Sequence, residues 1–150
     1  MKAKSITHLS ISAHDLDRSV DFYTELFGME EVPAPEFPFE VRWLRIGGLQ
    51  IHLFQSEGPV PSGHHFGLDV DDFVGFYERV KELGLADSSA YFQHVYELPE
   101  GALQLYIRDP AGNMVELNYP DVEEIDRSRI DGIRKLEAKP GESPAIYMDR

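Results

Sequence analysis

Residues 5–13 alternate in polarity, with Ile6, His8 and Ser10 in one phase and Leu9 and Ile11 in the other, the period of a half-buried strand. Asp15 then offers an N-cap, and Leu16, Val20, Tyr23 and Phe27 recur at helical spacing until Gly28 stops the helix. Val32-Pro-Ala-Pro-Glu-Phe-Pro reads as a proline-broken edge or loop. Strands follow at 40–46 and 49–55, joined by a tight turn at Gly47-Gly48. Gly58-Pro-Val-Pro-Ser-Gly63 has the composition of a linker, and after it the order returns. A strand at 64–70 and a helix at 72–84 precede strands near 91–97, 102–108 and 113–119, with turn chemistry at Pro99-Glu-Gly101 and Asp109-Pro-Ala-Gly112. The pattern predicts an α+β fold of two βαβββ modules, about 5–57 and 64–119, forming one domain over residues 1–120. Residues 121–150 are dense in charge and predict a short capping helix near 122–137 followed by a mobile end.

The return preserves chemistry as well as order. His8 and His65 lie 57 positions apart, as do Asp15 and Asp72, and each pair leads into a helix carrying Phe-Tyr and ending at glycine. A second echo closes each half: Gly48-Leu-Gln-Ile-His52 matches Gly112-Asn-Met-Val-Glu116. A lone strand histidine is ordinarily a hydrogen-bonded structural residue. Four donor-type residues at matched repeat positions instead predict two half-sites around one divalent ion, with His8, His52, His65 and Glu116 as its ligands.

Strand phase sorts the faces, because successive side chains leave opposite sides of a sheet. Leu9, Ile11, Ile51, Leu53, Phe66, Leu68, Val115 and Leu117 alternate with the four donors and predict the face covered by the helices. The same phasing sets Trp43, Arg45, Gln104, Tyr106 and Arg108 beside the donors. An aromatic and an arginine from each half form a plausible wall for an oxygen-rich or anionic substrate. His94 shares a phase with Phe92 and Tyr96, which makes it a candidate substrate-binding residue or a simple hydrogen-bonding one.

Composition narrows the classes. The chain has no cysteine, so thiolate nucleophiles, disulfides and Cys-based metal sites are excluded. A net charge of −13 argues against nucleic acid or an anionic membrane as partner and is neutral on a small-molecule substrate, the partner expected here. Met1-Lys-Ala-Lys-Ser-Ile shows neither a signal-peptide nor a membrane-span pattern, so a cytoplasmic location is expected.

The segments His8…Asp15…Phe22-Tyr23…Gly28 and His65…Asp72…Phe76-Tyr77…Gly84, with Tyr106-Ile-Arg-Asp-Pro-Ala-Gly-Asn-Met-Val-Glu116, resemble the vicinal-oxygen-chelate superfamily. That superfamily includes glyoxalase I, extradiol dioxygenases, methylmalonyl-CoA epimerase, and fosfomycin- and bleomycin-resistance proteins. Arg42-Trp-Leu-Arg-Ile-Gly-Gly-Leu-Gln-Ile-His52-Leu53 is similar to its glyoxalase-like branch. The resemblance implies a half-open barrel around a divalent metal, Zn, Ni, Co, Mn or Fe(II), formed within one chain or across a homodimer. His8, His65 and Glu116 fall on the recurring two-His-one-carboxylate positions. His52 stands where glyoxalase I and the epimerase carry Glu or Gln.

The implied activity is that of a glyoxalase- or isomerase-type metalloenzyme whose substrate chelates the metal through vicinal oxygens. Glu116 and His52 would be the ligands able to move a proton, Tyr106 a further catalytic group, Trp43 a wall, and Arg45 and Arg108 anion clamps. One alternative is an Fe(II) or Mn(II) ring-cleaving dioxygenase with His8, His65 and Glu116 as its triad. Leu105-Tyr106…Asp109-Pro110…Gly112…Glu116 matches the latter part of the extradiol signature, although His94 lies further upstream than that signature places its histidine. Another is a non-catalytic binding protein of the bleomycin-resistance kind, a class that typically loses the ligands retained here.

Overall fold

The structure, a computed structural model, describes residues 2–147. It is α+β and repeats one βαβββ topology. The first module runs β1 (His8–Ala13), α1 (Leu16–Phe27), β2 (Glu30–Val32), β3 (Val41–Ile46) and β4 (Leu49–Gln55). The second runs β5 (His65–Asp69), α2 (Phe73–Leu83), β6 (Tyr96–Glu97), β7 (Leu103–Arg108) and β8 (Met114–Tyr119), and β9 (Arg134–Lys135) follows. The sheet orders are β1-β4-β3-β2 and β5-β8-β7-β6-β9, with the first strand of each module parallel to its last. The chain divides into two compact units between Ser62 and Gly63, inside the expected linker, and the turn Asp109–Asn113 belongs to the first unit.

The helix signals act as read. Asp15 and Asp72 accept from the backbone N–H groups of Arg18 and Gly75, and Gly28 and Gly84 close the helices at φ 64°, a conformation that costs glycine little. In the first unit α1 sets Leu16, Val20 and Tyr23 against the sheet side carrying Leu44, Ile51 and Leu53, all buried. In the second, Phe73, Val74, Tyr77 and Val80 of α2 are buried with Leu103, Leu105, Ile107, Val115 and Leu117. Each fully buried aliphatic or aromatic side chain contributes about 1.5–3 kcal/mol, so the apolar phase commits each sheet to one orientation. The donor-bearing phase is thereby turned to the other face.

Two expectations need correction. The strand predicted at 91–97 is reduced to Tyr96–Glu97. Residues 90–94 instead form a turn, in which Gln93 N–H donates to Ser89 O, while Phe92 packs edge-on to Tyr106 and Tyr91 stacks on Tyr96. Aromatic packing outweighs strand alternation there. The helix predicted at 122–137 is absent: 3-10 turns occupy Val122–Glu124 and Arg127–Arg129, and β9 pairs in parallel with β6. Asp121 and Asp126 each cap their own short turn, and Gly132 takes φ 68°. Residues 148–150 of the expected tail lie outside the described residues. Among the described residues no helix is long and apolar enough to cross a membrane.

Candidate functional site

On the polar face of the first sheet, Ser10 and Trp43 are the register partners of His52, and Gln50 is the partner of His8. This register builds a column of rings. The His52 imidazole lies 4.1 Å from the Trp43 ring centroid at 3°, and 4.3 Å from that of His8 at 14°. Gln50 Oε1 lies 2.9 Å from His52 Nε2. An amide oxygen only accepts, so Nε2 carries the proton and Nδ1 keeps the lone pair. Burial, and then the neighbouring His8, lower the pKa of His52 and favour the neutral imidazole, the form that binds metals. A cavity of about 570 Å3 opens over this column, walled by Phe37, Trp43 and Phe54 on one side and by Thr7, Ser10 and Gln50 on the other. The Trp43 indole N–H is buried without an acceptor.

The second sheet builds its polar face from hydrogen bonds. Glu116, only 4% exposed, is the register partner of Gly67 and Tyr106. Gln104 Nε2 donates to Glu116 Oε1 at 2.7 Å, and Tyr106 OH donates to Gln104 Oε1 at 3.3 Å. His65 Nε2 lies 3.2 Å from Glu116 Oε2, and His65 Nδ1 donates to Gly63 O at 3.1 Å. With Nδ1–H tied to a carbonyl, Nε2 faces the carboxylate either protonated or with a lone pair available to a cation. Burial, and then the Glu116 carboxylate, push the Tyr106 hydroxyl well above its usual range and keep it a proton donor. A Cβ at Gly67 would fall 2.6 Å from Asn118 Nδ2 and 3.6 Å from Glu116 Oε1, so the strand position opposite the carboxylate tolerates no side chain without a shift.

The four predicted ligands therefore occur as two pairs, His8–His52 in the first unit and His65–Glu116 in the second. Among the described residues no group of three or more His, Cys, Asp or Glu side chains gathers at one point. The donor chemistry fits a divalent ion: imidazole nitrogens, one ring backbone-anchored through its far nitrogen, and a nearly buried carboxylate that calls for a counter-charge.

The remaining candidates divide. Trp43 is the register partner of His52, and Tyr106 that of Glu116. Both arginines are engaged with carboxylates: Arg45 pairs with Glu30 across the β2–β3 ladder, and Arg108 Nε donates to Asp87 Oδ2 at 2.6 Å. His94 meets Tyr96 edge-on at 6.2 Å, in the turn that replaces the expected strand, and burial followed by Arg134 lower its pKa. Sequence reasoning had placed Gln104 on this face without a role, and its amide grip on Glu116 is legible only from the β7–β8 register. The aromatic wall from Phe37, Phe39 and Phe54 went unnoticed, because two of these residues sit in the proline-broken loop, where no periodicity marks their direction.

Comparison with known proteins supplies a frame for this geometry. The family model described as Glyoxalase/Bleomycin resistance protein/Dioxygenase superfamily matches residues 5–117. Glyoxylase I 4 of Arabidopsis thaliana is 27% identical over 126 residues, covering 75% of this chain and 69% of its own. The crystal structure of lactoylglutathione lyase from Agrobacterium tumefaciens superposes with a TM-score of 0.60 at 26% identity, covering 83% of this chain and all of that one. Oxidase ChaP-H2 shares the fold, with a TM-score of 0.63 at 23% identity over 81% of this chain and 99% of its own.

Proposed function

Because the chain belongs to the Glyoxalase/Bleomycin resistance protein/Dioxygenase superfamily, we propose that it is a divalent-metal-dependent enzyme of glyoxalase or isomerase type. Its substrate is a small molecule that presents two neighbouring oxygens. The observation that carries this reading is the pair of donor sets at matched strand positions, above all a nearly buried Glu116 engaged on both oxygens by His65 and Gln104.

His8, His52, His65 and Glu116 are the residues that would hold the ion. When bound, the ion would supply Lewis acidity to the substrate oxygens. The chain's own groups do the rest. Glu116 accepts the proton from the hydroxyl-bearing carbon next to the carbonyl and returns it to the former carbonyl carbon, while the hydroxyl proton passes to the former carbonyl oxygen, so the net change is an isomerisation with no redox partner. Gln104 fixes one carboxylate oxygen and so orients the other. Tyr106, which stays protonated, offers its hydroxyl to an oxygen on which negative charge develops. The proposed enzyme is a homodimer, an assembly that sedimentation measures directly.

The test is metal analysis of the purified protein, followed by reloading of the EDTA-stripped protein with Zn, Ni, Co, Mn or Fe(II). Hydrogen–deuterium exchange at the substrate α-carbon, scored in the absence of oxygen with hemithioacetals and α-hydroxycarbonyl compounds, then reports the chemistry. The expected result is stoichiometric metal and metal-dependent exchange without oxygen. Turnover that consumes oxygen would replace the isomerase with a dioxygenase. Failure to bind or rebind metal would leave a binding protein.

A further inference from the structure

We propose that the cavity of the first module binds an aryl group, so that the substrate is an aromatic compound bearing its vicinal oxygens next to the ring. This rests on the reading of His8 and His52 as metal ligands and names the substrate class of that same site. The cavity has two unlike ends. Phe37, Trp43 and Phe54 line one end: Phe37 tilts toward Trp43 (6.2 Å, 46°) and stacks on Phe39 (5.2 Å, 14°), a ring outside the lining that itself meets Phe54 (5.5 Å). At the other lie His8, His52 and the polar groups of Thr7 and Gln50. Ring spacings of 4.5–7 Å in tilted and offset arrangements are those in which aromatic side chains accept another ring.

Three further observations select an aryl group. Phe37 and Phe39 are 39% and 50% exposed on the face opposite α1, where they add nothing to the core and present apolar surface to solvent. Pro33, Pro35 and Pro38 restrict the loop that carries them, so the wall is formed in advance and little ordering is needed when a ligand enters. Among the described residues no Lys, Arg, Asp or Glu lines the cavity, so nothing there pairs with a charged substituent on the ring itself, and about 570 Å3 suits one or two rings. In the second module Tyr106 is packed with Tyr96, Met114, Phe92 and Leu136.

Trp43 is the sole tryptophan of the chain and lines this cavity, so it reports occupancy directly. The probes are mandelate and hexahydromandelate, α-hydroxy acids with the same oxygens and skeleton, the first aromatic and the second saturated. Both are titrated into the purified protein and into the EDTA-treated protein, with Trp43 fluorescence and the single indole N–H resonance as readouts. Mandelate is expected to perturb Trp43 saturably and to bind about tenfold more tightly than hexahydromandelate. Phe37→Ala and the bulk-preserving Phe37→Leu should each remove most of that preference, about 1.4 kcal/mol for a tenfold change, while metal affinity stays within about twofold. Equal binding of the two probes, no saturable Trp43 response, or an undiminished preference in both variants overturns the aryl site. A preference that persists in a protein unable to bind metal upholds the aryl site and overturns the enzyme reading instead.

Discussion

In the first module the residue that ends the donor pattern, His52, is held by rings: Trp43 lies parallel to it across the β3–β4 ladder and His8 stacks on its other side. In the second, Glu116 occupies the matching position on β8 and is held by a hydrogen bond from Gln104 and by Nε2 of His65. The parallel first–last ladder and the antiparallel third–last ladder have the same register in both. The difference lies in what the third strand presents: Val41 and Trp43 on β3, where β7 carries Gln104 and Tyr106. A duplicated scaffold has thus separated two jobs, an aromatic surface suited to holding a ring and a polar network suited to holding a charge. Two variants bear on the second job, and three more compare what surrounds matching positions in the two modules.

The largest effect is expected from the charge itself. Glu116→Ala should weaken divalent-metal binding at least about 100-fold, or about 2.7 kcal/mol, measured by calorimetry on metal-stripped protein alongside a thermal melt of the apo form. Gln104→Leu keeps the carboxylate and removes its amide partner, so about a tenfold loss is expected. If both variants bind metal as tightly as the parent, the division of labour between the modules does not exist.

Next comes Arg108. The Asp87 side chain it meets is only 5% exposed, and removing one partner of a buried pair leaves the other charge uncompensated. Arg108→Ala should therefore cost about 2–3 kcal/mol in urea unfolding. The pH dependence carries the same signature. Burial raises the Asp87 pKa, but the Ser89 hydrogen bonds and Arg108 outweigh it and leave the carboxyl below its usual range. The stability this supplies is present above about pH 4 and disappears as pH falls through the lowered folded value, and the variant should lose less on acidification than the parent.

The turn Asp109–Asn113 gives a smaller effect in the first unit. Asp109 accepts from Tyr23 OH at 2.9 Å, from the Ala111 and Asn113 backbone N–H groups, and from Asn113 Nδ2. Burial, and then Asp109, raise the Tyr23 pKa well above its usual range. Below about pH 10 the phenol is neutral in folded and unfolded chain alike. Above it the unfolded chain ionises first, so stability falls as pH rises. Tyr23→Phe should lose about 1 kcal/mol at neutral pH and show a flatter alkaline limb in thermal unfolding.

Much of this was legible before any coordinates. Asp15 and Gly28, Asp72 and Gly84 delimit both helices because capping is a local interaction. The apolar phases of β1, β4, β5 and β8 are legible for a similar reason, since a one-residue slip would expose a whole strand's hydrophobic set. What escaped depends on partners far along the chain. The turn at 90–94 is set by Phe92 against Tyr106, and β9 exists because Arg134 and Lys135 reach β6, where Arg127 and Lys135 both meet the buried Glu97. The partners of the two arginines were invisible for the same reason. Glu30 reaches Arg45 through strand pairing, and Asp87 reaches Arg108 from the segment after α2.

Those two arginines give the smallest and most discriminating test, because they occupy matching positions on β3 and β7 and carry the same group. Arg45 is 54% exposed and its partner Glu30 is 66% exposed, so water screens both charges and replaces either partner at little cost. Arg45→Ala should change unfolding stability by no more than about 0.5 kcal/mol, against about 2–3 kcal/mol for Arg108→Ala. Raising the salt concentration should remove the Arg45 contribution and spare most of that of Arg108, since buried pairs are screened much less. Equal costs would mean that the two ladders are packed alike in solution. Unequal costs in this order would show that the duplication kept the arginine and changed its surroundings, the same divergence that separates His52 from Glu116.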